Sequence, residues 1–127
     1  MKKIYIITIL IFLSLNCDIT PTYKNTFLFN GNVIDATYEY YIPNIYVDFN
    51  VYDVRDKLIY SSGVYTDRYG YFEFYGKHNK EIEELYKLDL YFLSDYYVTQ
   101  RNTSYHDQWE KNDTNVSYRK IIRLKRR

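Results

Sequence analysis

The sequence predicts an all-β sandwich, and three observations carry that expectation. Short runs rich in Phe, Tyr, Val and Ile are broken at regular intervals by Gly, Asn, Asp and Pro. Within the runs, apolar residues recur at every second position, the period of a strand with one buried face. One stretch competes for helix, Lys80 to Lys87, and it is about two turns long. With 127 residues there is room for one domain, and the single cysteine leaves no intramolecular disulfide to staple it.

The first element in chain order is a leader. Lys2 and Lys3 make a positive start, and Ile4 to Leu15 is an uncharged run, IYIITILIFLSL. A spanning helix needs about 20 apolar residues, so this run is short for a permanent span and has the plan of a cleaved secretory signal. Cys17 follows at once. Leu13, Ser14, Leu15, Asn16 and Cys17 together resemble the lipobox of a bacterial lipoprotein signal, with Asn16 where Gly, Ala or Ser is commoner. The resemblance implies that residues 1–16 are removed, that Cys17 carries lipid, and that the protein is held to a membrane of the bacterial cell envelope, the leaflet left open. More than one acyl chain makes such an anchor stable where a single chain is marginal. A polar tether, 17–25, then leads to the domain, 26–127.

The domain reads as about seven strands. Phe27, Phe29, Gly31 and Val33 share one face. Ile45, Val47, Phe49 and Val51 alternate with Tyr46, Asp48 and Asn50, the clearest half-buried strand in the chain. Leu58 to Thr66 is a third, interrupted at Gly63, where a bulge or a close backbone approach is expected. Phe72 and Phe74 mark a fourth, and Leu88, Leu90 and Phe92 a fifth. Another is expected around Tyr96 to Thr99, and Val116 to Leu124 reads as the closing strand. Between the fourth and fifth, KEIEELYK sets Ile82, Leu85 and Tyr86 at helical spacing, which predicts a short helix or ordered loop near 80–87.

Three segments line up in an informative order: FNGNVID at Phe29 to Asp35, IPNIYVDFNV at Ile42 to Val51, and TDRYGYFEF at Thr66 to Phe74. Together they resemble the carboxypeptidase regulatory-like family, whose domain is a transthyretin-like, Ig-like sandwich. The resemblance covers Phe27 to Phe74; beyond that, Asp95 and Tyr96 replace the family's usual Gly-Tyr and the match rests on strand count. In the third segment the Asp67 carboxylate is placed to accept backbone N–H groups across a tight turn while Gly70 takes a positive φ. In the second, Pro43 fixes φ on entry, and Asn44 stands at the family's Gly, Asn being the residue that best tolerates a left-handed backbone.

Composition narrows the chemistry. With 17 basic against 16 acidic groups the net charge is +1, which provides no field for nucleic acid. His78 and His106 are far apart in sequence, and the chain has no HExxH, Cys pair, P-loop or GxGxxG. No metal, cofactor or catalytic residue is assigned. Intradiol dioxygenases have a related sandwich and hold iron with two Tyr and a closely spaced His pair. Hydroxyisourate hydrolases end in Tyr-Arg-Gly-Ser, whereas here Tyr118 and Arg119 run on into Lys120 and Ile121.

The conspicuous surplus is tyrosine, 18 in all. Amphipathic rings suit stacking on sugars or contact with protein, although an AT-rich genome writes Tyr, Ile, Asn and Lys regardless, and strands absorb Tyr readily. Tyr40, Tyr41, Tyr46 and Tyr52 form the candidate binding surface. The basic close of the chain, Arg119 to Arg127, reads as a charged edge that discourages strand addition. Trp109 is either a core plug or an exposed contact. The expected function is that of an exported, membrane-anchored lipoprotein whose noncatalytic sandwich binds an envelope protein or supports envelope structure. The alternatives are a carbohydrate-binding module using exposed Tyr and, less favoured, a small hydrolase or dioxygenase on the same scaffold.

Overall fold

A computed structural model describes residues 25–78 and 84–127. The leader, Cys17 and the tether up to residue 24 lie outside the described residues, as do residues 80–83 of the expected helix or loop. The described chain forms eight strands: β1 (Asn25–Asp35), β2 (Tyr46–Asp53), β3 (Leu58–Tyr65), β4 (Tyr71–His78), β5 (Leu85–Leu93), β6 (Gln100–Tyr105), β7 (Glu110–Lys111) and β8 (Asn115–Leu124). They make two four-stranded sheets, ordered β4-β1-β8-β7 and β3-β2-β5-β6. β1 and β8 run parallel, and the other neighbours are antiparallel. The all-β sandwich expected from period-2 alternation is the fold observed.

The alternation does the work of orienting each strand. Phe27, Phe29, Gly31 and Val33 on β1 and Val47, Phe49 and Val51 on β2 are buried, and the residues alternating with them are half-covered. Phe72, Leu88, Leu90, Phe92, Val116, Ile122 and Leu124 complete the core from β4, β5 and β8. Its rings interlock across the sheets, with Phe49 against Phe74 at 4.8 Å and Phe72 edge-on to Phe92 at 5.5 Å, geometries the ring quadrupole favours. The two flanks are closed by single side chains. On one, Tyr60 Oη of β3 donates to the Lys77 carbonyl of β4 at 2.8 Å. On the other, Trp109 is buried against Phe29 at 5.4 Å and donates from Nε1 to Ser104 Oγ at 3.0 Å, so it is a core plug.

Two expectations are corrected. Leu85, Tyr86 and Lys87 are extended in β5, which pairs Asp53 with Leu85 and Tyr52 with Lys87. Pairing with β2 overrides local helix propensity that a segment this short could not sustain by itself. The strand expected at Tyr96 to Thr99 begins instead at Gln100; of the expected residues, Tyr97 makes a single bridge, to Arg126. At Gly63 the close approach is real: the Tyr46 phenol crosses it so tightly that a Cβ there would lie 1.9 Å from the hydroxyl. The register shift of β3 falls elsewhere, at Ile59, between the Val51–Tyr60 and Tyr52–Leu58 pairs. β7 covers only Val116 and Ser117 of β8, so the rest of β8 is a border, and Arg119, Lys120 and Arg123 are exposed along it.

Candidate functional site

The strand directions sort the loops into two ends. β1 finishes at Asp35, β3 at Tyr65, β5 at Leu93 and β8 at Leu124, so residues 36–45, 66–70, 94–99 and 125–127 gather at one end. The turn at 54–57 and residues 106–114 gather at the other, where the chain enters at Asn25. Tyr38, Tyr40, Tyr41, Tyr65, Tyr69 and Tyr96 are all exposed at the first end, Tyr65 at 67% and Tyr96 at 79%.

A buried carboxylate organises this end. Asp35, the last residue of β1, is 0% exposed. Its Oδ1 accepts the backbone N–H groups of Thr37 at 2.8 Å and Tyr38 at 2.9 Å, turning the chain out of the strand. Its Oδ2 accepts the Tyr97 hydroxyl at 3.0 Å and Arg126 Nε at 2.9 Å, partners 62 and 91 residues away. The Tyr38 N–H hydrogen bond, opposed by burial and reinforced by Thr37, Arg126 and Tyr97, holds this carboxyl well below the usual carboxylate range. Burial, and then the bonds to Tyr40 and Asp35, push the Tyr97 phenol up to about 12, so it stays a donor. Arg126 lies over the rings of Tyr38 at 5.0 Å and Tyr40 at 5.7 Å and donates to the Tyr40 hydroxyl. Tyr38 and Tyr40 stack at 6.4 Å with an interplanar angle of 10°.

Two further devices set the neighbouring loops. Thr66 Oγ1, buried, accepts the Ile45 N–H at 2.9 Å and donates to the Ile42 carbonyl at 2.8 Å, pinning the Pro43–Asn44 turn, in which Asn44 has a φ of 60°. Asp67 Oδ1 accepts the N–H groups of Tyr69 at 2.8 Å and Tyr71 at 3.0 Å, and Gly70 has a φ of 66°. Between the Pro43–Asn44 turn and residues 93–99 is a cleft of about 580 Å³, lined by Tyr46, Tyr65, Tyr96 and Tyr97, with Asp95 and Arg127 among its polar groups. Aromatic walls with a few charged groups are the usual make-up of a ligand cleft.

Of the candidate surface residues, Tyr40, Tyr41 and Tyr46 come together at this end. Tyr52 does not: it sits at the far end of β2, half-buried, with Lys87 Nζ 4.5 Å above its ring. Tyr65, Tyr96 and Tyr97 join the cleft, and the Asp35–Arg126 pair stands beside it. Sequence reasoning missed that pair, because Asp35 looked like part of a strand signature and Arg126 like one charge in a basic run. The signal available was an acid closing an apolar strand immediately before an Ala-Thr-Tyr turn.

Elsewhere, Asp89 is buried on β5 among Arg101 Nε at 2.8 Å, Arg101 Nη2 at 2.6 Å and Thr103 Oγ1 at 2.5 Å. Burial pushes its carboxyl up, and the Arg101 and Thr103 bonds outweigh that, leaving it lowered. Another hollow, about 780 Å³, lies at the opposite end beside Tyr86, Tyr105 and His106. His106 Nδ1 there is 2.9 Å from the Leu85 carbonyl oxygen. His78 ends β4 on one flank while His106 follows β6 on the other, so the backbone separates the two imidazole-bearing residues. That placement does not fit an iron site built on a close His pair. Among the described residues, no three His, Cys, Asp or Glu side chains group as metal ligands.

No family model matches the chain, and no curated protein matches it in sequence. Solved structures do match its fold. One is chlorocatechol dioxygenase from Rhodococcus opacus, with a TM-score of 0.60 and 13% identity over 85% of this chain and 62% of that one. Another is catechol dioxygenase from Acinetobacter, with a TM-score of 0.59 and 10% identity over 85% of this chain and 54% of that one. A third is the Bacillus anthracis TIE protein, with a TM-score of 0.52 and 18% identity over 80% of this chain and 17% of that one. The chain thus spans less than two thirds of each. Identities this low establish a shared sandwich architecture, and activity does not travel with a fold.

Proposed function

We propose that this chain is an exported lipoprotein of the carboxypeptidase regulatory-like type, anchored through Cys17 to a membrane of the bacterial cell envelope. Its noncatalytic sandwich binds an envelope partner through the tyrosine-lined end. The observation that carries this reading is the polarity of the domain: six exposed rings, those of Tyr38, Tyr40, Tyr41, Tyr65, Tyr69 and Tyr96, gather at the end opposite the one at which the chain enters, where Tyr86 and Tyr105 are the exposed rings. The eight peptide steps from Cys17 to Asn25 span at most about 28 Å, and β1 adds about 35 Å along its length. A lipid on Cys17 therefore holds the Asn25 end within that reach of the bilayer and leaves the Tyr65 and Tyr96 end the farther of the two along the strands.

The noncatalytic reading is supported by the state of the two most deeply buried carboxylates among the described residues. Asp35 and Asp89 are each held by an arginine and each lowered, which makes them poor proton acceptors. The surface rings, by contrast, offer contact area at little entropic cost. Two tests apply. Metabolic labelling with an alkyne fatty acid should mark the wild-type chain and not Cys17→Ala; equal labelling of both refutes the anchor. Affinity capture from the native envelope should recover a partner that Tyr65→Ala with Tyr96→Ala loses, and recovery unchanged by that pair refutes the surface.

The cleft favours a second reading, carbohydrate recognition, because Tyr65 and Tyr96 present rings beside Asp95. A glycan array separates the two: saturable binding lost with Tyr46→Ala supports a sugar ligand, and a blank array together with protein capture supports the first.

A further inference from the structure

The turn at the entry end presents aliphatic side chains to solvent. Val54, 57% exposed, opens the turn, and Leu58, 47% exposed, follows it. The turn is held from within: Asp53 Oδ1 accepts the N–H groups of Arg55 and Lys57, and the Val54 N–H donates to the Glu84 carbonyl at 3.1 Å. Leu58 also ends a row that crosses the whole sheet, because it pairs with Tyr52, Tyr52 with Lys87, and Lys87 with Tyr105. Residues opposite one another in an antiparallel ladder face the same way, so an aliphatic side chain and two rings share one rim. The exposed Tyr105 stands edge-on to Tyr86 there, at 5.5 Å. Lys87, the charge in that row, is neutralised: its Nζ lies 4.5 Å over the Tyr52 ring and 2.9 Å from Asp56 Oδ1.

We propose that Val54, Leu58 and Tyr105 seat this rim on the headgroup layer of the bilayer that holds the Cys17 lipid, an inference that rests on the anchor proposed above. The occupant is named by the chain that leads into the domain. Residues 18–24 separate Cys17 from Asn25, a reach of at most about 28 Å. Asn25 opens β1 at the same end as the rim, in the facing sheet about 10 Å away. The tether is longer than the step it must cover, and holding the rim this close raises its effective concentration at the surface to about millimolar. That is enough for a contact too small to bind by itself. Leu93 and Val98 are exposed aliphatics as well, but they belong to the opposite end, about 35 Å farther along β1. Phenol rings are favoured at the level of the headgroups. Charge does not select the lipid: Arg55, Lys57 and Lys111 at this end are matched by Asp107, Glu110 and Asp113, so a zwitterionic bilayer suffices.

The test uses the chain as a bacterium exports it, inserted into preformed vesicles of phosphatidylcholine, plain or brominated on the acyl chains. Bromine quenches an indole only where the ring enters the bilayer. The emission that Leu58→Trp adds to that of Trp109 should fall about threefold in the brominated vesicles, while that added by Tyr69→Trp, at the opposite end, should be unchanged. In the Leu58→Trp chain, Val54→Asp should restore the lost emission, and about 0.5 M NaCl, which screens exposed charge, should not. Quenching no greater for Leu58→Trp than for Tyr69→Trp overturns the proposal, and so does quenching that Val54→Asp leaves intact or that salt abolishes. Intact mass reads the anchor separately. A Cys17 without lipid refutes the anchor, and Leu58→Trp must then still be quenched at millimolar lipid for the contact to stand; a chain that is lipidated and unquenched refutes the contact and leaves the anchor standing.

Discussion

The two ends of the sandwich are built with the same local device and differ in what is laid over it. At the entry end, Asp53 Oδ1 accepts the N–H groups of Arg55 and Lys57, and Asn112 Oδ1 those of Thr114 and Asn115. At the tyrosine-lined end, Asp67 and Asp35 do the same for their own turns. Asp35 adds, from its second oxygen, residues from two other parts of the chain, Tyr97 and Arg126. The result is an end whose loops are tied to one another beneath a layer of exposed rings. A turn held by its own backbone only reverses the chain, whereas a turn held by distant side chains positions a surface.

That contrast can be broken from either side, and the largest effect belongs to the entry end. Trp109→Ala should destabilise the fold by about 3–5 kcal/mol, read by urea unfolding, because it empties the space beside Phe29 and leaves the Ser104 hydroxyl without its indole donor. Gly70→Ala at the other end should cost about 3 kcal/mol. Its φ of 66° disfavours a side chain, and a Cβ would lie 2.4 Å from the Val33 carbonyl oxygen. Thr66→Val should cost about 2 kcal/mol, since the buried Ile45 N–H and Ile42 carbonyl both lose their partner.

Next in size is the acid dependence. Asp35 and Asp89 have carboxyls lowered by folding, so the stability they contribute is present above the unfolded pKa and is lost as pH falls through the folded one. Unfolding free energy should therefore decline as pH drops below about 4, and Asp35→Asn should flatten that decline; an unchanged slope would show that Arg126 does not hold a charged partner. The smallest effect is expected for Tyr96→Ala, within about 0.5 kcal/mol of wild type in stability, with partner capture reduced at least fivefold. That split between stability and binding sets the surface rings apart from Asp35 beneath them.

The same contrast explains what was legible in the sequence. The Ile45 to Val51 alternation fixes β2 because burial on one face imposes period 2 whatever the partner strand, and the Thr66 to Phe74 signature describes a turn whose hydrogen bonds are all local. Leu85 to Lys87 misled because their local propensity is helical while β2 supplies a ladder that only the tertiary fold provides. Asp35 and Arg126 were beyond reach for a related reason. Their bond spans 91 residues, and no spacing rule connects the close of the first strand to the tail that follows the last. The tyrosines were visible as a surplus, but strand direction decided which of them meet, gathering Tyr65 and Tyr96 with Tyr40 and Tyr46 and sending Tyr52 to the far side.

The central claim, that the tyrosine-lined end is where this protein meets its partner, is tested most directly by site-specific photo-cross-linking in living cells. A photoreactive phenylalanine at Tyr96 should capture a discrete envelope component, and the same residue at Tyr86, exposed at the entry end, should not. Capture from Tyr86 with none from Tyr96 would place the contact at the opposite end and contradict the account.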